Sequence, residues 1–318
     1  MGIQQTTYAV PRADLAEALL EFNPANDGFI ATQVLPTREV SREAATISVL
    51  TRENLQLVDV KHKDGANYAR GHTIAEDKAY ACENYGYEEP LTDKSRMSYR
   101  YDFDAEMEVM NLVMRKLLIA QEVRAAAAVF NTTTWPSGTA ALYTSWTTAP
   151  WDVVGSDAIT HILTAKEKVR ANCGQEPDSM VISAATMNAL LNNTGILARF
   201  PAAVVLTEAM LRANMASIFG LQNLFVGKQI YTSAKEGQAY SGTDIWSKDY
   251  AMIFKISTGS FRAGGLGRTL VWSDMGPELI ADQRPDDNIK GDIFRVEQYV
   301  DELIFDPYYG HLLFIDAD

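Results

Sequence analysis

FDAEMEVMNLVMRKLLIAQEVRAAAAVFN, Phe103 to Asn131, runs for 29 residues without a proline or glycine. Nothing in it breaks a helix, so it predicts one continuous rod of about 43 Å at ~1.5 Å per residue. That is more than twice the ~11–12 residues of an average globular helix. Asp102 or Asp104 is placed to cap its start, and Glu106 and Glu108 suit its positive end. Phe103, Met107, Met110, Met114 and Leu117 follow a 4,3,4,3 spacing and predict one apolar face. Val109, Val113, Ala120, Val123, Ala127 and Phe130 predict a second. Two faces imply more than one partner surface, and Ala125 to Ala128 let another backbone come close.

Working outward from the rod, residues 1–45 read as an arm. Asp14 to Phe22 is a short helix candidate, capped by Asp14 and ended by Asn23-Pro24, and an extended run with a break at Pro36 follows. Residues 46–101 read as strand and loop: an outgoing strand, a polar tip with Asp64-Gly65 as its turn, and a return limb AYACENYGYEEPLTD. A free hairpin of this composition buries little and is marginal. It is expected either to be a flexible loop or to pack on a neighbour.

Beyond the rod, Ser156 to Gly174 predicts a second helix capped by Ser156, with Ile159, Ile162, Leu163, Lys166, Val169 and Cys173 on its packed face. From Asp178 to Ser273 the pattern is α/β. DSMVIS, LFVGKQIYTSA, DYAMIFKIS and RTLVWSD read as strands, and Thr207 to Gly220 as a helix. The last residues read as two strands with a turn from Asp306-Pro307 to Gly310, expected to return to the rod.

The charge balance is 28 basic to 41 acidic residues, net −13. That argues against a surface built to grip phosphates. Cys82 and Cys173 form no pair motif, which suggests a reducing compartment. The first residues carry no signal-peptide pattern, and no run of 18 apolar residues predicts a membrane span.

No constellation of residues predicts an active site. His62, His72, His161 and His311 have no ligand or triad spacing. AGGLGRT, Ala263 to Thr269, lacks the lysine of a phosphate loop and reads as a bend between strands. Ser183, Ser217 and Ser241 lack a nucleophile-elbow setting. The acids Glu83, Glu88, Glu89, Asp286, Asp287, Asp301 and Glu302 reflect plain abundance, and QRPDDNIKGD has no cation-loop spacing. The expectation is no enzyme, no catalytic residue, no cofactor and no metal.

The order of parts carries more information. YACENYGYEEPLTDKSR (Tyr80 to Arg96) resembles the return limb of an E-loop leading into a spine helix. DSMVISAATMNALLNN, LRANMASIFGLQNLFVGKQIYTSA (Leu211 to Ala234) and DIWSKDYAMIF resemble successive parts of an A-domain. Over nearly its whole length the chain resembles the major capsid proteins of tailed bacteriophages, with the α+β Hong Kong-97-type capsid fold.

The resemblance implies an N-arm at 1–45, an E-loop at 46–101, a P-domain at 102–177 and 274–318 with its spine helix at 103–131, and an A-domain at 178–273. It implies a shell of pentamers and hexamers, built through the E-loop, N-arm and A-domain, that encloses double-stranded DNA. The virion would assemble in the host cytoplasm with a portal, decoration proteins and, because the chain starts almost at the arm, a separate scaffolding protein or a scaffold removed before this state. Segments around Gly195 to Ala203 and Glu236 to Thr243 would line the capsomer hole. The best-known member joins its E-loops by a Lys–Asn bond. Lys61, Lys63 and Lys78 lie in or near the loop here, but nothing marks a partner asparagine, so that chemistry is not implied. An encapsulin shell is the alternative. The arm with Pro11, Pro24 and Pro36 and the long polar loop favour the phage reading. A soluble hydrolase with a helical lid is a more distant reading.

Overall fold

The rod forms as a single helix from Ala105 to Val129. Asp104 caps it, its side chain accepting the backbone N–H groups of Glu106 and Met107. The computed structural model describes residues 10–11, 28–62, 64, 67–99, 104–135, 142–145, 150–153, 155–199, 207–235, 237–257 and 259–315. The helix expected at Asp14 to Phe22, Gly65 of the expected turn, and Asp102 and Phe103 at the start of the rod lie outside them.

In chain order the described elements begin with β1 (Val10–Pro11), α1 (Ala31–Val34), β2 (Thr37–Val40), β3 (Ala44–Leu50), β4 (Ala75–Ala81), β5 (Glu83–Thr92), α2 (Asp93–Tyr99), the rod α3 (Ala105–Val129) and β6 (Tyr143–Ser145). Then come α4 (Ala158–Cys173), β7 (Ser179–Ser183), α5 (Ala184–Leu191), α6 (Thr194–Leu197), α7 (Glu208–Ile218), β8 (Asn223–Gly227), β9 (Ile230–Thr232), β10 (Gly242–Asp244) and β11 (Tyr250–Phe254). β12 (Gly267–Trp272), β13 (Ile280–Asp286), β14 (Gly291–Ile304) and β15 (Gly310–Phe314) complete the chain.

Two sheets organise the molecule. The first runs β1-β13-β14-β12-β2, with β5 also on β14. Its centre is the long β14, whose residues 291–300 pair antiparallel with 92–83. The second runs β6-β15-β11-β7-β8.

The rod is long because it spans both sheets. Its first half, through Met110, Val113 and Leu117, packs on Phe294, Val296 and Ala281 of the first sheet. Its last turns, Ala125, Ala126 and Val129, pack on Val181, Met252, Phe254 and Leu312 of the second, and on Ile30, Ala31 and Val34 of the arm. Small alanines at that end admit the sheet and arm together. Burying the rod's six large core side chains contributes on the order of 10–20 kcal/mol gross, most of it offset by chain entropy. The other face of the second sheet (Met180, Ile182, Ala251, Ile253, Leu313) is covered by Ile162, Leu190 and Met215 from α4, α5 and α7, and by Phe219 at the end of α7. Strict alternation along these strands is what gives the sheet two apolar sides.

Five sequence expectations are corrected. The second rod face is not buried as predicted: Ala120, Val123 and Ala127 are exposed, while Gln121 and Glu122 are buried. The rod has one wide buried stripe at 3–4 spacing, and two polar residues sit in it. The return limb is not one strand. It divides at Cys82, where β4 leaves its pairing with β3 and β5 joins β14. LFVGKQIYTSA likewise divides into β8 and β9, which lie in different sheets. Asp157, not Ser156, caps α4 by accepting the N–H of Thr160. Leu163 faces solvent while His161 is buried. Gly174 ends that helix as expected, in the left-handed conformation at φ 72°.

Candidate assembly surface

The limb between β3 and β4 is the outstanding surface feature. Its root is packed: Ile47, Val49 and Tyr80 are buried against Val40, Leu270 and Phe305. The Asn54 side chain closes the loop above it. Its amide donates to the Ile74 carbonyl at 2.6 Å, and its oxygen accepts the Ile74 N–H at 2.9 Å. One side chain thus does the work of a further rung of the hairpin. Arg52 adds a stack over the Tyr308 ring, 3.8 Å from its centre.

Beyond that latch every described residue from 52 to 73 is exposed. Leu57 is 100% exposed, Val60 84% and Tyr68 72%, and Leu55 and Val58 are more than half exposed. A single exposed leucine is ordinary. Five large side chains on one projecting limb make a surface that needs a partner. The ring stack of His62 on Tyr68, centres 4.0 Å apart, gives the tip some internal order.

A second feature lies inside. The Glu122 carboxylate, on the buried side of the rod, accepts the N–H groups of Ile30 (3.1 Å) and Ala31 (2.9 Å) and the indole N–H of Trp246. It joins the arm, the rod and the segment after β10. Trp246 reaches it by lying on Gly227, where any side chain would collide with the indole. Burial pushes the Glu122 carboxyl above its ordinary value, against the pull of these three donors. The sequence places Glu122 with Arg115, Lys116 and Arg124 on the rod's polar side; the structure buries it instead, as its spacing from Leu118 and Ala125 on the buried stripe requires.

The residues weighed for chemistry are dispersed. His62 is at the tip and His72 is exposed. His161 is buried and its Nδ1 accepts the Trp151 indole N–H at 3.0 Å. His311 is buried and its Nε2 lies 2.8 Å from the Thr144 hydroxyl. Glu88, Glu89 and Glu302 pair with Arg284, Lys116 and Arg124. Asp301 accepts the Ala81 N–H, and Asp286 that of Asn288. Ser183 caps α5 through the Thr186 N–H. Of Ala263 to Thr269, only Ala263 to Leu266 lie between β11 and β12; Gly267 to Thr269 are the first residues of β12, so the expected bend is shorter than the sequence suggested. Burial and nearby Asp301 push the Cys82 thiol to about 11, so it carries no thiolate at neutral pH. Among the described residues no group of three or more His, Cys, Asp or Glu is placed to hold a metal, and no helix is long and apolar enough to cross a membrane.

No family model matches the chain. The major capsid protein of Burkholderia phage BcepMu is 22% identical over 239 residues, 72% of each chain. A phage-related protein from Bordetella bronchiseptica superposes with a TM-score of 0.72 at 18% identity, over 98% of both chains. The capsid protein of cyanophage P-SCSP1u gives 0.58 at 14% identity, over 88% of this chain and 86% of that one.

Proposed function

We propose that this chain, which has the Hong Kong-97-type capsid fold and stands with the major capsid proteins of tailed phages, is the structural shell subunit of a virion head. The observation that carries the reading is the limb between β3 and β4, polar in composition, which leaves Leu55, Leu57, Val58, Val60 and Tyr68 unburied on a lone subunit. A neighbouring copy supplies the surface it lacks. In this reading residues 1–45 serve as the N-arm and the limb as the E-loop. The rod serves as the spine of the P-domain and the second sheet with its helices as the A-domain, and copies assemble through these parts into pentamers and hexamers. The segments around Gly195 to Ala203 and Glu236 to Thr243 would line the hole; residues 200–203 and 236 lie outside the described residues, and the second segment falls at the end of the β9–β10 hairpin, where Tyr240 is 72% exposed. A net charge of −13 suits a wall that encloses DNA without holding it. A separate scaffolding protein, a portal and decoration proteins complete the assembly, which takes place in the host cytoplasm.

The test is to express the chain with and without a candidate scaffold and image the product by negative-stain electron microscopy. Closed shells, or rings of five and six, are the expected result, and cargo protein inside them would reassign the shell to a cellular compartment. Monodisperse single subunits in both conditions would contradict the reading.

A further inference from the structure

Arg268 is 3% exposed, yet among the described residues no carboxylate lies within ion-pair distance of it. Its Nε donates to the Ser257 hydroxyl and its Nη2 to the Gly259 carbonyl, each at 2.9 Å. Both acceptors are neutral. Its guanidinium carbon lies 5.7 Å from the centre of the Phe261 ring, and that of Arg38 lies 5.6 Å from the same centre. Arg38, on β2, is exposed, as is Arg262 next to the ring. Among the described residues none of these three arginines is within ion-pair distance of an acid. The rest of the fold behaves differently. Arg124 is forked onto Glu302, Arg295 onto Asp282, and Arg96 meets Asp292.

Two guanidinium groups sharing one phenyl ring repel each other. Desolvation and the charge of Arg38 hold Arg268 below the usual guanidinium range. A buried cation without a counter-ion is costly, and an anion arriving from outside removes the cost. The exposed fork of Arg38 suits a carboxylate, while the Nε and Nη2 groups of Arg268 are held by Ser257 and Gly259 and its charge adds to the field behind it. Phe261 packs on the cluster formed by Val40, Ile47, Val49 and Phe305, so the site sits at the root of the projecting limb. The chain itself is the abundant source of carboxylates, with 41 acids to 28 bases.

We infer that Arg38, Phe261 and Arg268 form a docking site for a side-chain carboxylate of a second copy of this chain. The inference rests on the shell reading. Arg38→Lys keeps the positive charge and places a primary amine at the site. A water-soluble carbodiimide then joins that amine to a carboxylate as an amide, taking up the released water as a urea. In particles assembled from mixed light and heavy-isotope subunits, the expected product is a peptide from residue 38 linked to an Asp or Glu of another copy. Arg38→Ala, at an exposed position, is expected not to lower the subunit's melt, since it removes the charge that repels Arg268, and to raise the concentration for half-assembly about tenfold.

If wild-type particles form but position 38 links only within its own chain, and Arg38→Ala assembles at the wild-type concentration, the docking site is overturned while the shell reading stands. Binding of a short oligonucleotide that is lost in Arg38→Ala, with assembly unchanged, would assign the site to phosphate and overturn it equally. A wild-type chain that never assembles removes the shell reading and the site with it.

Discussion

Glu122 is fully buried, and the groups that meet its carboxylate are neutral N–H donors from Ile30, Ala31 and Trp246. Replacing it with alanine leaves those donors without an acceptor in a dry site. Glu122→Ala should therefore lower the stability of the subunit by about 3 kcal/mol, read as a shift in the urea midpoint at constant slope. The pH dependence has a definite sign. Burial raises the folded-state pKa above the ordinary 4.5, so the native state holds its proton to higher pH than the unfolded chain does. The native state is then favoured most below 4.5, and that contribution declines as pH rises through the folded-state value. A Glu122→Gln subunit should show a flatter fall in stability over this window. Curves for the two subunits that run parallel would show that Glu122 does not titrate as its burial demands.

At the scale of elements, the rod and the limb behave oppositely. Met110 is buried against the first sheet. Met110→Asp places an unpaired charge there, which costs several kcal/mol, and is expected to yield insoluble or unfolded chain. Soluble Met110→Asp subunits with a wild-type melt would contradict the packing of the rod. The limb contributes little to the subunit that bears it. Replacing 57–72 with a short Gly-Ser linker keeps β3, β4 and the Asn54 latch. It should change subunit stability by no more than about 0.5 kcal/mol and abolish shells. Deletion further into 75–77 would remove paired strand, since Ala75 to Asp77 pair with Leu50 to Ser48. The lysines of the limb illustrate the same division: Lys61 is on the exposed tip, whereas Lys78 is on β4 and pairs with Glu76.

For the whole molecule, stability and assembly are linked. A subunit that leaves Leu57 and Val60 in water gains by burying them against another copy. Anything that binds only the folded state raises its apparent stability by mass action. Assembled particles are therefore expected to melt several degrees above free subunits, with a midpoint that rises with protein concentration until assembly is complete. Identical, concentration-independent midpoints by calorimetry would show that contacts between copies contribute nothing to the fold.

The rod was legible because an uninterrupted helical pattern is a local property, and its cap at Asp104 lies within three residues of the groups it satisfies. So were β7, α5, α7 with its Thr207 cap, and the glycine stop at Gly174, each fixed by neighbours in sequence. The order of these parts was enough to indicate a shell subunit, since that order is itself linear. Which face of the rod is buried was not legible. Val123 and Ala127 face water and Glu122 does not, because two sheets and an arm from distant parts of the chain meet on one side of the helix. The break at Cys82 is equally non-local. The return limb changes partner there because β14, some two hundred residues later, offers ten residues of open edge to β5. Sequence determined what each segment could be. Tertiary structure decided what each segment faces, because burial depends on partners that no local pattern names.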